Sequence, residues 1–133
     1  MQSISGIIYL ILVACLLPYV FAMIAKIAGG FTAQDNQNPR EFLARTTGLA
    51  ARANAAQANS FEGLPLFIAA ILMAEYMVIS QQTIMNLGMA YLLFRVLFGL
   101  CYLFNFATLR SIFWLLATSC PIILLLIVIR VTA

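Results

Sequence analysis

The sequence predicts an all-α membrane protein that folds as a bundle of four transmembrane helices. Of its 133 residues, 65% are hydrophobic and 8% are charged, and the mean hydropathy is +1.06. This composition is too apolar for a soluble domain of the same size. Four apolar stretches are each long enough to cross about 30 Å of hydrocarbon. The predicted helices cover residues 4–28, 40–79, 83–106 and 110–131 of a single domain, residues 1–133.

The first predicted helix, residues 4–28, is apolar apart from two positions. Pro18 can bend it, and Lys26 can extend its ammonium group to the lipid headgroups. Residues 1–3 carry no basic side chain, and the apolar run is longer than the core of a secretory signal peptide. We therefore expect a membrane helix that remains in the folded protein and packs against its neighbours.

The second predicted helix, residues 40–79, carries most of the polar chemistry on one face. Asn38 is a preferred N-cap residue and Pro39 a preferred first residue, so the helix should begin there. Four polar residues follow at spacings of seven, seven and three, namely Arg45, Arg52, Asn59 and Glu62. These spacings place them along one helical stripe. The alanines between them permit close approach of a neighbouring helix.

Glu62 requires a partner, because an ionisable group at membrane depth costs a few kcal/mol. The third predicted helix has one face made of Tyr91, Arg95, Phe98 and Tyr102. Arg95 lies about 16 Å above the cytoplasmic end of its helix, and Glu62 lies about 15 Å above Arg52. We therefore expect Glu62 and Arg95 to form an ion pair across the bundle. The alternative is that this pair only fixes the register of the two helices.

Four polar residues should converge at the cytoplasmic end of the same gap, namely Arg52, Asn59, Tyr102 and Arg110. They offer donors for carboxylates at the entrance and acceptors deeper in the bundle, which suits an anionic, peptide-like ligand. Ser111 and Trp114 follow Arg110 where the fourth helix begins, and a helix N-terminus attracts anions. The alternative for Arg110 and Trp114 is an interfacial belt at the lipid headgroups.

The basic residues predict the orientation of the chain. Those in the first and third connections are Lys26, Arg40, Arg45, Arg52 and Arg110, whereas the second connection carries Glu75 and no basic residue. The positive-inside rule then places both termini on the non-cytoplasmic side of the inner (cytoplasmic) membrane. The net charge of +3 is spread over four helices without a basic patch, so we expect no nucleic-acid partner.

The sequence lacks the side chains that several catalytic mechanisms need. It has no histidine, no acidic cluster and no paired-cysteine motif, so we expect no metal site, histidine triad or dithiol centre. Cys15, Cys101 and Cys120 lie inside apolar helices, where they should act as small buried hydrophobic side chains. An enzyme of this composition would take its nucleophile from a cofactor. An arginine beside an external thiol would lower the pKa of that thiol and hold the thiolate.

One segment resembles a known family closely. It runs Arg52-Ala-Asn-Ala-Ala-Gln57-Ala-Asn59-Ser-Phe-Glu62-Gly-Leu-Pro-Leu-Phe67, preceded by Asn38-Pro-Arg and followed by Arg95, Tyr102 and Arg110-Ser111. These residues resemble the MAPEG family, the membrane-associated proteins in eicosanoid and glutathione metabolism, in a bacterial-type form similar to microsomal glutathione transferase. The resemblance spans nearly the whole chain and is strongest in the second helix.

The resemblance implies a homotrimer that binds glutathione between protomers near the cytoplasmic side and receives a lipophilic substrate from the membrane lipids. By the same resemblance, Arg110 is the thiolate-activating residue with Ser111 beside it, Asn59 and Glu62 hold the glutathione backbone and amino group, and Arg95 braces Glu62. The resemblance also assigns hydrogen bonds to Gln57 and Tyr102, and a positive charge to Arg52. The implied activity is that of a glutathione-dependent transferase or peroxidase acting on lipophilic electrophiles.

The alternative is a non-catalytic protein of the same fold that binds lipids or acts as an assembly scaffold. Ala55 favours this alternative, because family members frequently have an arginine there. The basic cluster at the end of the first helix is reduced to Lys26, and Phe98 occupies a position that is polar in some eicosanoid enzymes. Arg110, Ser111 and Tyr102 favour the enzyme, because a scaffold has less need of a charged pocket.

Overall fold

A computed structural model describes residues 3–133 and shows an all-helical bundle with no strand among them. The α-helices are α1 (Ile4–Gly29), α2 (Pro39–Ala44), α3 (Gly48–Tyr76), α4 (Gln81–Leu103) and α5 (Ala107–Thr132), and a short 3-10 helix covers Asp35–Gln37. The helices α1, α3, α4 and α5 are each long and apolar enough to cross a membrane. The predicted four-helix membrane protein is confirmed, and the chain is a multi-pass integral membrane protein.

The prediction of one continuous helix over residues 40–79 is wrong. The helix α2 ends at Ala44 and α3 begins at Gly48. Thr46 donates a hydrogen bond of 2.6 Å from its hydroxyl to the carbonyl oxygen of Leu43, which satisfies one carbonyl at the end of α2. Thr47 is extended and Gly48 has a φ of +60°, a left-handed conformation that glycine adopts without steric cost. The two threonines and the glycine therefore separate the helices.

The start of α2 follows the prediction. Pro39 is its first residue, and the side-chain oxygen of Asn38 accepts a hydrogen bond of 3.4 Å from the backbone amide of Glu41. Glu41 also lies 3.7 Å from Arg45 in an ion pair whose two side chains are mostly exposed. Because the break at Thr46–Gly48 follows immediately, Arg45 does not continue the polar stripe of α3.

The first helix begins at Ile4 as predicted, and the other helix ends differ from the predicted ones by one to three residues. The helix α3 ends at Tyr76 rather than at 79, before a turn in which Val78 has a φ of +55°. Ser80 caps α4, because its hydroxyl accepts a hydrogen bond of 3.2 Å from the amide of Thr83, so α4 begins at Gln81 rather than at 83. Asn105 has a φ of +61°, which ends α4 earlier than predicted and lets α5 begin at Ala107.

The bundle packs α1 mainly against α3 and α4 mainly against α5. Gly88 and Gly99 let α4 approach α1 closely, because a Cβ atom at these positions would overlap the side chains of Leu10 and Phe21 respectively. The outer surfaces carry many exposed apolar side chains, such as Ile8 and Leu126, as expected for helices that face lipid. The buried core therefore lies between the helices, and the outer surface of the bundle is apolar rather than polar as in a soluble protein.

The alanines of α3 serve contacts within the protomer. Ala50, Ala53 and Ala56 are fully or almost fully buried, and Ala56 packs with Phe21 and Phe98. Their small side chains let neighbouring helices approach α3 closely, as predicted from the sequence. Leucine at position 56 would therefore disturb the protomer itself, so only exposed alanines of α3 remain candidates for a contact with another copy.

Candidate functional site

Two cavities meet on one side of α3. The larger, about 240 Å³, is lined by Asn59, Glu62, Gly63, Leu66, Tyr91, Arg95, Trp114, Thr118 and Pro121. The smaller, about 210 Å³, is lined by Asn59, Phe98, Tyr102, Arg110, Ser111 and Trp114. Asn59 and Trp114 belong to both cavities and therefore mark their junction. Six of the eight site residues predicted from the sequence line this pair of cavities.

Arg95 lies between the helices and is only 2% exposed. Its Nη1 donates a hydrogen bond of 2.9 Å to Oδ1 of Asn59, and its Nη2 donates one of 3.0 Å to Oγ of Ser60. Its guanidinium carbon stands 4.4 Å from the centre of the Phe98 ring. A buried arginine charge is thus held by two neutral acceptors and an aromatic face.

The predicted ion pair between Glu62 and Arg95 is absent from the part of the chain that the structure describes. Glu62 is exposed, although it lines the same cavity as Arg95. A helix turns by about 100° per residue, so Glu62 points about 160° away from Ser60 and about 60° away from Asn59, on the side of Asn59 opposite to Ser60. Arg95 bonds to Asn59 and Ser60 and therefore lies on the other side of Asn59 from Glu62. The guanidinium therefore reaches the amide and the hydroxyl, and Glu62 turns its carboxylate to the cavity instead. Arg95 does not brace Glu62 directly.

Arg110, Tyr102 and Ser111 come together as the sequence predicts. The guanidinium carbon of Arg110 lies 4.5 Å from the centre of the Tyr102 ring, and all three residues line the smaller cavity. Ser111 donates its hydroxyl proton to the carbonyl oxygen of Ala107 at 3.2 Å, which leaves its oxygen lone pairs for another donor. Among residues 3–133, no carboxylate forms an ion pair with Arg110, so its charge is open to an anionic ligand.

Arg52 and Gln57 line neither cavity. Arg52 donates a hydrogen bond of 3.2 Å from Nε to the carbonyl oxygen of Leu103, one of the carbonyls left without a helical partner at the end of α4. Gln57 has a buried side-chain oxygen without a hydrogen-bond partner in the described protomer. The ligand contacts predicted for these two residues stay predictions.

Sequence reasoning missed Ser60, which is 3% exposed and holds Arg95. A signal for it exists. Ala53, Ala56, Ser60 and Phe67 are spaced as one buried helical face, and a hydroxyl on such a face needs a hydrogen-bond partner. Thr118, in the larger cavity, was also missed, although Ser111, Trp114 and Thr118 are spaced by three and four residues and therefore share one face of α5.

Together the two cavities present charges of both signs and neutral donors, but no set of metal-binding side chains. No group of three His, Cys, Asp or Glu side chains that could hold a metal ion occurs within residues 3–133. Arg110 can bind an anion, and Glu62 can accept hydrogen bonds from an ammonium group. The arrangement therefore fits a small zwitterionic or peptide-like ligand.

Comparison with known proteins gives one match. The model of a family described as the MAPEG family matches residues 6–130. Neither the curated proteins nor the solved structures contain a match to this chain.

Proposed function

Since the chain belongs to the MAPEG family, which its match over residues 6–130 shows, we propose that it is a glutathione-dependent transferase or peroxidase acting on lipophilic electrophiles. The observation that carries this proposal is the placement of Arg110. Its guanidinium packs on Tyr102, lines a cavity with Ser111 and has no carboxylate partner in the described chain. A planar cation in this setting stabilises a thiolate more than a thiol.

Glutathione, when bound, supplies the nucleophilic thiol that the chain itself does not provide. Arg110 would hold the negative charge on sulfur, while Tyr102 fixes the plane of the guanidinium from one side. Glu62 would accept hydrogen bonds from the amino group of glutathione, and Asn59 would bind its peptide backbone. Donors and an acceptor for these groups line the two cavities, so the residues present fit the ligand.

A second candidate function is non-catalytic binding of lipids. A wide, open groove on the outer face of α5 favours it, lined by Ala107, Thr108, Arg110, Ser111, Ile112, Trp114 and Leu115. The groove is mainly apolar and shares Arg110 with the smaller cavity. A lipid chain in this groove would place its polar end near the guanidinium. In the transferase, the same groove would admit the lipophilic substrate.

The assembly proposed with this function is a homotrimer that binds glutathione between protomers. We expect native mass measurement in mild detergent to show three chains and calorimetric titration with glutathione to show saturable binding. The protein should also conjugate an aromatic halide such as 1-chloro-2,4-dinitrobenzene. S-methylglutathione is the matched control, because it keeps both carboxylates but has no ionisable thiol, so it should bind without supporting conjugation.

The mass measurement and the glutathione measurements test different parts of the proposal. A mass of one chain would remove the site between protomers. Absence of both glutathione binding and conjugation would remove the glutathione function and leave lipid binding as the better account of the groove on α5.

We also propose that the connection containing Gln37 is cytoplasmic and that the turn before Gln81 is on the other side. A single cysteine at position 37 should react with a membrane-impermeant maleimide only in inside-out vesicles, and one at position 81 only in intact spheroplasts. The background should carry alanine at Cys15, Cys101 and Cys120 so that no other thiol reacts. The reversed pattern would refute this orientation.

A further inference from the structure

The surroundings of Arg95 restrict its movement from three directions. Asn59 and Ser60 accept hydrogen bonds from its two terminal nitrogens, and the Phe98 ring covers one face of the guanidinium. With one acceptor removed, the guanidinium could rotate about its last side-chain bonds. With both present, its plane and position are fixed relative to α3. Arg95 and Ser60 thus form a rigid unit, which we call the Ser60–Arg95 clamp.

The clamp also determines which way the amide of Asn59 faces. Arginine has only donors, so the atom of Asn59 that meets Arg95 must be the carbonyl oxygen Oδ1. The amide nitrogen Nδ2 therefore points away from Arg95. This nitrogen makes no hydrogen bond within the described chain. It is not buried either, so it is open to the space that Asn59 lines. That space is the junction of the two cavities.

We propose that Ser60 and Arg95 are positioning residues that hold Asn59 with its NH₂ group facing the cavity junction, where it binds a hydrogen-bond acceptor of the ligand, a carboxylate or an amide carbonyl. The identity of the ligand rests on the proposed function, in which the acceptor belongs to glutathione. The orientation of Asn59 does not rest on it. Ser60 thereby gains a role in ligand binding although it does not line either cavity.

A purely structural role for Ser60 would have different consequences. A serine that only satisfies a buried arginine would change stability on mutation and leave the ligand affinity of the folded protein unchanged. In the clamp, loss of the Ser60 hydroxyl releases Arg95, and Asn59 then loses its fixed orientation. Affinity must therefore fall together with the ordering of the Asn59 amide.

The test compares Ser60→Ala with Ser60→Thr, which keeps the hydroxyl, and with Ser119→Ala. Ser119 is the matched control, because its hydroxyl donates only to a backbone carbonyl of its own helix, that of Leu116. The dissociation constant for glutathione should rise about threefold to tenfold in Ser60→Ala, the range for one lost hydrogen bond. It should recover in Ser60→Thr and stay unchanged in Ser119→Ala.

A second variant separates the donor role of Asn59 from its contact with Arg95. Asn59→Asp keeps an oxygen for Arg95 but places another oxygen where the NH₂ group was. This protein should remain at least as resistant to thermal unfolding as the wild type, because a carboxylate bonds more strongly to a guanidinium. Its dissociation constant for glutathione should nevertheless rise about tenfold or more, since two acceptors then face each other. Unchanged affinity in Asn59→Asp would refute the donor assignment.

A ligand-free measurement decides the orientation independently. In protein labelled with ¹⁵N-asparagine, the NH₂ resonances of Asn59 should be a sharp, well-separated pair that shifts or broadens in Ser60→Ala and stays in place in Ser119→Ala. If the wild type fails to bind glutathione, the proposed function fails, and these resonances still report on the clamp. Ser60→Ala with unchanged resonances, or with changed resonances and unchanged affinity in a protein that binds glutathione, would overturn the inference.

Discussion

Replacing Arg110 with leucine should abolish the thiolate absorbance of bound glutathione while leaving the affinity for glutathione largely preserved. The guanidinium lies against Tyr102 and faces a cavity without a carboxylate partner in the described chain, so its charge is available to sulfur. Asn59 and Glu62 would still hold the rest of the ligand. Removing a preorganised charge of this kind lowers kcat/KM by about 10²–10³-fold.

Two further variants make this result specific. Arg110→Lys keeps a charge but loses the planar guanidinium that stacks on Tyr102, so its activity should be intermediate. Arg130→Leu is the matched control, because Arg130 is an exposed arginine in the last turn of the same helix and lines neither cavity. Equal thiolate absorbance in Arg110→Leu and Arg130→Leu would exclude Arg110 as the activating residue.

Replacing Glu62 should have the reverse effect to replacing Arg110: the affinity for glutathione should fall first. This contrast follows from the separate cavities that the two side chains line, Glu62 in the larger and Arg110 in the smaller. A change in affinity and a change in thiolate formation therefore report on different residues.

The second large effect concerns the stability of the bundle. Arg95→Leu should lower the free energy of unfolding by about 2–4 kcal/mol, because it leaves Oδ1 of Asn59 and Oγ of Ser60 without their donor. A double-mutant cycle with Asn59→Ala should show a coupling of about 1–2 kcal/mol. The coupling in the corresponding cycle with Glu62→Ala should be smaller than that with Asn59→Ala, because the two side chains line one cavity but form no ion pair.

Equilibrium unfolding in mixed micelles of a mild detergent and sodium dodecyl sulfate would give these free energies. A larger coupling to Glu62 than to Asn59 would mean that Arg95 pairs with the carboxylate. The arrangement of donors around Asn59 described above would then be wrong.

The partner of Arg95 shows how far sequence reasoning extends. Counting residues along α3 and α4 placed Glu62 and Arg95 at similar depth, and both do line one cavity. Depth alone does not give the rotation of a helix about its axis. That rotation follows from the packing of Ala53, Ala56 and Phe67, which are all buried and turn Ser60 inward. The pairing therefore depended on contacts that the spacing of polar residues does not contain.

Local chemistry explains the other differences. Thr46, Thr47 and Gly48 are poor helix formers, and they break the predicted second helix although the polar spacing continues across them. Arg52 donates a hydrogen bond to a backbone carbonyl of α4. Every residue has such a carbonyl, so the sequence does not indicate which one Arg52 binds. By contrast, Arg110 and Ser111 lie at the start of α5, and Tyr102 lies in the last turn of α4. The contact between these two helix ends follows from the four-helix topology alone, so it could be predicted.

The most direct test of the central claim is the ultraviolet difference absorbance of the wild-type protein titrated with glutathione across a range of pH. Because a guanidinium stabilises the charged form, the pKa of the bound thiol should lie below that of free glutathione. The thiolate signal should thus be present at neutral pH and disappear as the pH falls through the lowered pKa. Glutathione that binds, as shown by calorimetry, but gives no thiolate absorbance at neutral pH would contradict the claim that Arg110 activates it.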